Sequence, residues 1–258
     1  GDAQVFCATA SFNMYTAAFY DKFLYDMLGE QKEKELGGAV PHVVPDILDQ
    51  INRIMTKGGR AAETRADIKD FMPEQPAAGS CAWGDAATII PWTMYLFYGD
   101  KEMLRRQYAN MKLWTDYIYR IDEEKCGGSR LWNYGFHFAD WLALDNFHKG
   151  SCFGGTDQYF VASAFYLHSA GLTAKAAEVL GLEDDAKRYS KLSDEVRAAM
   201  QNEYFTSTGR IAIETQTAMV LALNFDIVPD EFRGRLAGML KKKLDEELSA
   251  LQEKVNKK

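Results

Sequence analysis

The chain has 258 residues and a formal net charge of −7, with 47% hydrophobic and 26% charged residues, the balance of an ordinary globular protein. Its acidity excludes a nucleic-acid partner, whose phosphates need clustered Lys and Arg, and no run of about 18 apolar residues supplies a membrane span. Aromatic residues reach 13%, which points to a large core or to rings lining a pocket.

The first expected helix runs from about Thr9 to Gln31. Between Gly37 and Gly79 the chain holds Pro41, Pro45, Pro73 and Pro76, so it reads as a long loop with one short helix at Ile47 to Met55. From about Asp85 to Tyr98 the residues Ile89, Ile90, Trp92, Met94, Leu96 and Phe97 make a helix apolar nearly all round, as burial on every side requires. The next helix, Asp100 to about Ile121, differs. Leu104, Tyr108, Met111, Thr115 and Ile118 form one stripe, with Lys101, Arg105, Arg106, Lys112 and Asp116 largely off it, which is an amphipathic pattern.

The alternation repeats. Thr156 to about Leu180 carries few charges and ends at Gly181, a natural stop. Leu182 to about Tyr204 then sets Ala186, Tyr189, Leu192, Val196 and Met200 against Asp184, Lys187, Lys191 and Glu195. A short hairpin turned at Gly209 fits Tyr204 to Ile213. A third pair comprises Thr215 to Phe225 and a helix from Pro229 onward, since proline suits a first helical turn. A buried helix followed by an amphipathic one, three times over, predicts an all-α fold of concentric rings. We read it as an incomplete α/α toroid of about seven long helices, where a closed ring of six hairpins has twelve.

Four clusters carry chemistry: Gly1 to Phe6, Ala82-Trp83-Gly84-Asp85-Ala86, Gly135 to Leu142, and Gly154-Gly155-Thr156-Asp157. In each, a carboxylate stands beside glycine or an aromatic ring near the end of an inner helix. That pairing suits a sugar, whose C–H face packs on a ring while its hydroxyls donate to carboxylates. The same residues also read as structure: Asp85 and Asp157 as first-turn carboxylates, Trp83 and Trp141 as core rings. Asp85 or Asp140 could equally act as a catalytic acid on such a toroid. The histidines His42, His137, His148 and His168 show no HExxH pattern, so no metal site is expected, and His168 reads as a core residue. Gly58-Gly59 and Gly127-Gly128 read as turns. Cys7, Cys81, Cys126 and Cys152 show no CxxC spacing, so reduced thiols are expected, and a cytoplasmic setting is favoured.

At these clusters the sequence resembles the bacterial α-L-rhamnosidases. Gly1-Asp2-Ala3-Gln4-Val5-Phe6, Val40 to Asp46, Ala82 to Ala86 with Pro91-Trp92, Tyr98-Gly99-Asp100, Phe138 to Leu142 and Glu214 to Ala218 carry the likeness, in order, over about residues 1 to 235. The resemblance implies an (α/α)6 barrel that hydrolyses terminal α-L-rhamnosides with inversion and uses no cofactor or metal. Asp2 matches a sugar-binding carboxylate and Trp83 and Trp141 match rings of the rhamnose pocket, with Asp85 and Asp140 as their motif neighbours.

The family's general acid, a Glu, precedes its Gly-Asp pair, and its second Glu lies well beyond the Thr-Gln-Thr-Ala segment. Both expected carboxylates therefore fall outside this chain, and the catalytic residues stay unassigned. Gly1 in place of Met agrees with an expected truncation. Weak or absent activity alone follows, because each acid or base contributes roughly 10²–10⁴-fold. Ala139 stands where glycine is commoner in the family, a change that reads as minor. We divide the chain into a partial barrel, residues 1–240, and a C-terminal helix, residues 241–258. There Lys241 to Lys243 stand beside Asp245, Glu246 and Glu247, and Leu244, Leu248, Leu251 and Val255 fall at heptad-like spacing. The expected partner is a rhamnose-containing glycoside, with self-association through exposed barrel surface or the C-terminal helix. The alternative function is a non-catalytic helical interaction module on the same scaffold.

Overall fold

The computed structural model describes residues 1–33, 36–47, 78–143 and 151–256. Among these lie eight α-helices: α1 (Asp2–Asn13), α2 (Ala17–Gln31), α3 (Ala86–Tyr98), α4 (Lys101–Lys125), α5 (Gln158–Leu180), α6 (Glu183–Tyr204), α7 (Gln216–Asn224) and α8 (Arg233–Asn256). Extended pairing among the described residues is limited to isolated bridges.

Burial sorts the helices into two layers. In α5, Phe160, Val161, Ala164, Leu167, Ala170, Ala174 and Ala177 are all buried, on every side of the helix. In α6, burial is confined to Ala186, Tyr189, Leu192, Ser193, Val196 and Met200. The inner helices follow one another in space, α1 on α3, α3 on α5 and α5 on α7, while α2, α4, α6 and α8 pack outside. Polar bonds join neighbouring outer helices: Lys112 Nζ lies 2.8 Å from Asp185 Oδ1, and Arg188 Nη2 2.7 Å from Asp116 Oδ1. The architecture is an arc of α/α hairpins, as the alternation predicts.

Local signals set the helix ends. Asp100 accepts from the N–H groups of Glu102 and Met103, and Asp157 from those of Tyr159 and Phe160, each satisfying donors that a first turn leaves free. Gly99 and Gly181 close α3 and α5 in the left-handed conformation. Phe205 and Ile211 form the expected short bridge, with Gly209 in the turn.

Two expectations change. The single helix from Thr9 to Gln31 is two helices, broken at Met14–Thr16. Met14 is extended there, and the Thr16 N–H donates to Tyr98 Oη at 3.0 Å. A side chain at the end of α3 thus fixes the corner. Pro229 does not enter an α-helical first turn but precedes a 3-10 turn, Asp230–Phe232, from which α8 continues. Eight α-helices among the described residues agree with the expected all-α arc of about seven long ones. Of the expected helix at Ile47 to Met55, all but Ile47 lies outside the described residues. All four cysteines are free thiols. Helix α8 runs unbroken past residue 240, and Gln216 Nε2 donates to Glu247 Oε2.

A buried ion pair holds the far end of α4. Asp122 is fully buried and accepts from Arg130 Nη1 at 2.7 Å and from the Arg130 N–H at 3.1 Å, while Arg130 also reaches Glu123 and Glu195. Removing the guanidinium strands a buried carboxylate. Arg130→Met is expected to lower unfolding free energy by about 3 kcal/mol in urea titration, while Arg188→Met, at an exposed pair, leaves the midpoint nearly unchanged.

Candidate functional site

The four clusters meet at one end of the arc, where the N-terminal ends of α1, α3, α5 and α7 come together. The turn before α3 is the centre. Asp85 is fully buried, and its carboxylate accepts from the Ala82 N–H at 2.7 Å, from Trp114 Nε1 at 2.8 Å and from Ser169 Oγ at 2.6 Å. Burial pushes its pKa up to about 6, against the pull of these donors from Ser169, Trp114 and Ala82. Gly84 is required beside it, because a Cβ there would overlap the Trp114 ring. Asp85 thus pins an α4 tryptophan and an α5 serine to the turn that carries Trp83. It is sealed from solvent, so it holds the site's shape and does not present an oxygen to a ligand.

Trp83 is half-buried and packs against Gly1, whose neighbour Asp2 is exposed in the first turn of α1. Gln4 Nε2 donates to the Ala82 carbonyl, tying α1 to the same turn. On the other side Trp83 stacks on Phe138, with ring centres 4.4 Å apart and planes at 29°. Phe138 meets Trp141 edge-on at 5.4 Å, and Trp141 meets Phe153 at 5.2 Å. Trp83 and Trp141 therefore belong to one continuous aromatic wall joined through Phe138.

His137 sits behind that wall. Its Nδ1 accepts from the Cys81 N–H at 3.0 Å and its Nε2 is 3.1 Å from the Tyr134 carbonyl, which assigns the proton to Nε2 in a neutral ring. Burial lowers its pKa to about 4. The Phe138 N–H donates to Ser80 Oγ at 3.0 Å, so segment 136–140 is stitched to the turn before α3.

Asp140 performs a second holding task. Its Oδ2 accepts from Thr156 Oγ1 at 2.6 Å and its Oδ1 from Thr217 Oγ1 at 2.8 Å, while Thr156 and Thr215 hydroxyls lie 2.6 Å apart. The Gly154 N–H donates to the Asp140 carbonyl at 2.8 Å. A Cβ on Gly154 would come within 2.6 Å of Asp140 Oδ2, so the glycine of the fourth cluster makes room for this carboxylate. Asp140 is half-buried at the edge of the wall. Asp157 serves as the cap of α5. The motifs point to Asp2, Trp83, Asp85, Asp140 and Trp141 and contain Phe138 and Thr156 without giving them a role, but they give no sign of Trp114 or Ser169. Thr217 likewise falls inside the Thr-Gln-Thr-Ala segment.

Three non-glycine residues around the wall are left-handed: Ala82 at φ 59°, Ala139 at 48° and Leu142 at 61°. The Ala139 position is thus not a minor change, because this conformation costs an L-residue roughly 1–2 kcal/mol.

The chain matches the family model described as the bacterial alpha-L-rhamnosidase 6 hairpin glycosidase domain over residues 1–252. It is 31% identical over 248 residues to an alpha-L-rhamnosidase of Formosa agariphila, covering 95% of this chain and 23% of that protein. It is 33% identical over 233 residues to one from Alteromonas sp. strain LOR, covering 89% and 22%. The solved Streptomyces avermitilis alpha-L-rhamnosidase complexed with L-rhamnose superposes with a TM-score of 0.73 at 28% identity, covering 95% of this chain and 20% of that one. The chain spans about a fifth of the length of the relatives it matches.

Two substitutions test the roles above. Asp85→Ala leaves three donors without an acceptor and is expected to cost about 3 kcal/mol in denaturant unfolding. Ala139→Gly relieves the left-handed strain and is expected to raise stability by about 0.5–1 kcal/mol in the same measurement.

Proposed function

We propose, for a chain that belongs to the bacterial alpha-L-rhamnosidase six-hairpin glycosidase family, that its aromatic wall is the surface on which a terminal α-L-rhamnosyl group rests. The observation that carries this is the joining of Trp83 and Trp141 through Phe138, with Gly1, the neighbour of exposed Asp2, packed against Trp83. Rhamnose, a 6-deoxy sugar, offers C–H faces and a methyl group to the rings and hydroxyl protons to the acid. The reaction served is hydrolysis of terminal α-L-rhamnosides with inversion, for which a glycosidase needs two carboxyls about 6.5–9.5 Å apart, one as acid and one activating water.

The described carboxylates near the wall are poorly suited to that pair. Asp85 is sealed and both Asp140 oxygens already accept from threonines, which leaves Asp2 exposed and without a second free carboxylate to complete a pair. On this reading the described residues supply sugar binding and shape, and the acid and base are not among them. Alone the chain hydrolyses weakly or not at all.

A second reading, self-association as a helical interaction module, draws on the apolar surface of α1, where Val5, Phe6 and Phe12 are exposed, and on exposed Leu244 and Leu248 of α8. Exposed apolar area of this kind favours association. A monomer in light scattering at high protein concentration would remove it.

For the main reading, ligand-observed NMR of the 258-residue chain is expected to show millimolar L-rhamnose binding. Trp83→Ala and Trp141→Ala should each weaken it about three- to tenfold. p-Nitrophenyl α-L-rhamnoside should release nitrophenol at close to the buffer rate. Unchanged rhamnose resonances would refute the binding surface. Release well above the buffer rate would refute the absence of the acid and base from the described residues.

A further inference from the structure

The cage around Asp85 allows a second arrangement of its own hydrogens. Ser169 Oγ donates to Asp85 Oδ1 at 2.6 Å, and the Thr88 hydroxyl lies 2.7 Å from the same Ser169 oxygen. Thr88 Oγ1 in turn donates to the Asp85 carbonyl at 3.0 Å. The three residues close a ring of hydroxyls and carboxyl, and all three are fully buried.

Two proton arrangements satisfy that ring without moving a heavy atom. With Asp85 ionised, Ser169 donates to the carboxylate. With Asp85 protonated, its O–H donates to Ser169, the Ser169 O–H swings to Thr88, and Thr88 still donates to the Asp85 carbonyl. Every hydroxyl hydrogen has an acceptor in both states, so neither carries the penalty of a buried unpaired donor. What changes is the strength of the neighbouring bonds. Trp114 Nε1 donates to the same Oδ1 at 2.8 Å, and a hydrogen bond to a charged carboxylate is roughly twice as strong as one to a neutral oxygen. Uptake of a proton therefore slackens the hold on the α4 indole, and with it the turn in which left-handed Ala82 donates to Oδ2.

Among the described residues, the ionisable groups nearest this ring come from three elements. The turn brings the Cys81 thiol, pushed up by burial and by Asp85. The start of α1 brings the Gly1 amine, lowered by burial to about 6. Segment 131–140 brings His137, lowered by burial to about 4 and bonded to the Cys81 N–H. From α4 and α5 come Trp114 and Ser169, both uncharged.

We propose that the Asp85–Ser169–Thr88 ring is a proton switch beneath the aromatic wall: proton uptake by Asp85 reverses the Ser169 hydroxyl, loosens the turn that carries Trp83 and weakens the wall's hold on a sugar. The last step rests on the rhamnose-binding reading of the wall. All three are positioning residues that never touch the ligand.

The test follows the Trp114 and Trp83 indole N–H resonances of the ¹⁵N-labelled 258-residue chain from about pH 4.5 to 8, with and without L-rhamnose. Both should titrate with a midpoint of about 6, and rhamnose affinity should fall about three- to tenfold on the acid side. Asp85→Asn should flatten the titration although the Gly1 amine remains. Thr88→Val removes the acceptor of the reversed Ser169 hydroxyl and keeps the Ser169 bond to Asp85. It disfavours only the protonated state, so the midpoint should fall by roughly half to one pH unit. A cage that merely encloses Asp85 predicts no such fall. An unchanged midpoint in Thr88→Val, or a Trp114 titration that survives Asp85→Asn, would overturn the switch. Constant rhamnose affinity while Trp114 titrates would overturn its link to the wall. Absence of rhamnose binding at every pH would overturn the binding surface, with the Thr88→Val midpoint still deciding the switch.

Discussion

The structure depends most on one buried carboxylate. Asp85 lies in the core with no solvent to stabilise its charge, and it accepts from a backbone N–H, an indole N–H and a hydroxyl drawn from three separate elements. A buried charge survives only where such donors surround it. Meeting that demand brings Trp114 of α4 over Gly84 and Ser169 of α5 up to the turn before α3. That turn then points Trp83 along the wall. The positions of α3, α4 and α5 at this end of the arc, and the placement of the first ring of the wall, follow from a single electrostatic requirement.

Asp140 repeats the device one turn further round. Its two oxygens gather threonines from the starts of α5 and α7, and its carbonyl accepts from the Gly154 N–H beside Phe153. The site therefore divides its labour. Acids beside the tryptophans are spent inward, on geometry, and the rings face outward. Such a division fits the proposed rhamnosyl surface, because stacking on C–H faces needs ring planes fixed in advance. Left-handed alanines at 82 and 139 agree with this view, since strained backbone is retained only where the surroundings hold it in place.

The layered helices were legible in the sequence because inner and outer helices differ in composition along their whole length, as α5 and α6 do. Their ends were legible wherever the stop is local, at Gly99, Asp100, Asp157 and Gly181. The break at Met14–Thr16 was not, because the group that fixes it, the Tyr98 hydroxyl, lies 82 residues away. The same limit applied at the site. The motifs drew attention to Trp83, Trp141, Asp85 and Asp140, but not to the inward use of both acids, since Trp114 is 29 residues from Asp85 and Thr217 is 77 from Asp140. A carboxylate beside a tryptophan reads alike in one dimension whether it faces a ligand or a distant helix. Burial and partners decide between these, and both are tertiary properties.

The central claim is that the rings meet the sugar while the buried acid holds them. The most direct measurement is the response of the five indole N–H resonances of ¹⁵N-labelled chain to added L-rhamnose. The account predicts that the Trp83 and Trp141 signals move with ligand concentration, and that those of Trp114 and Trp132, both fully buried, stay in place. Movement of Trp114 with Trp83 and Trp141 unmoved would place the sugar elsewhere and contradict the account.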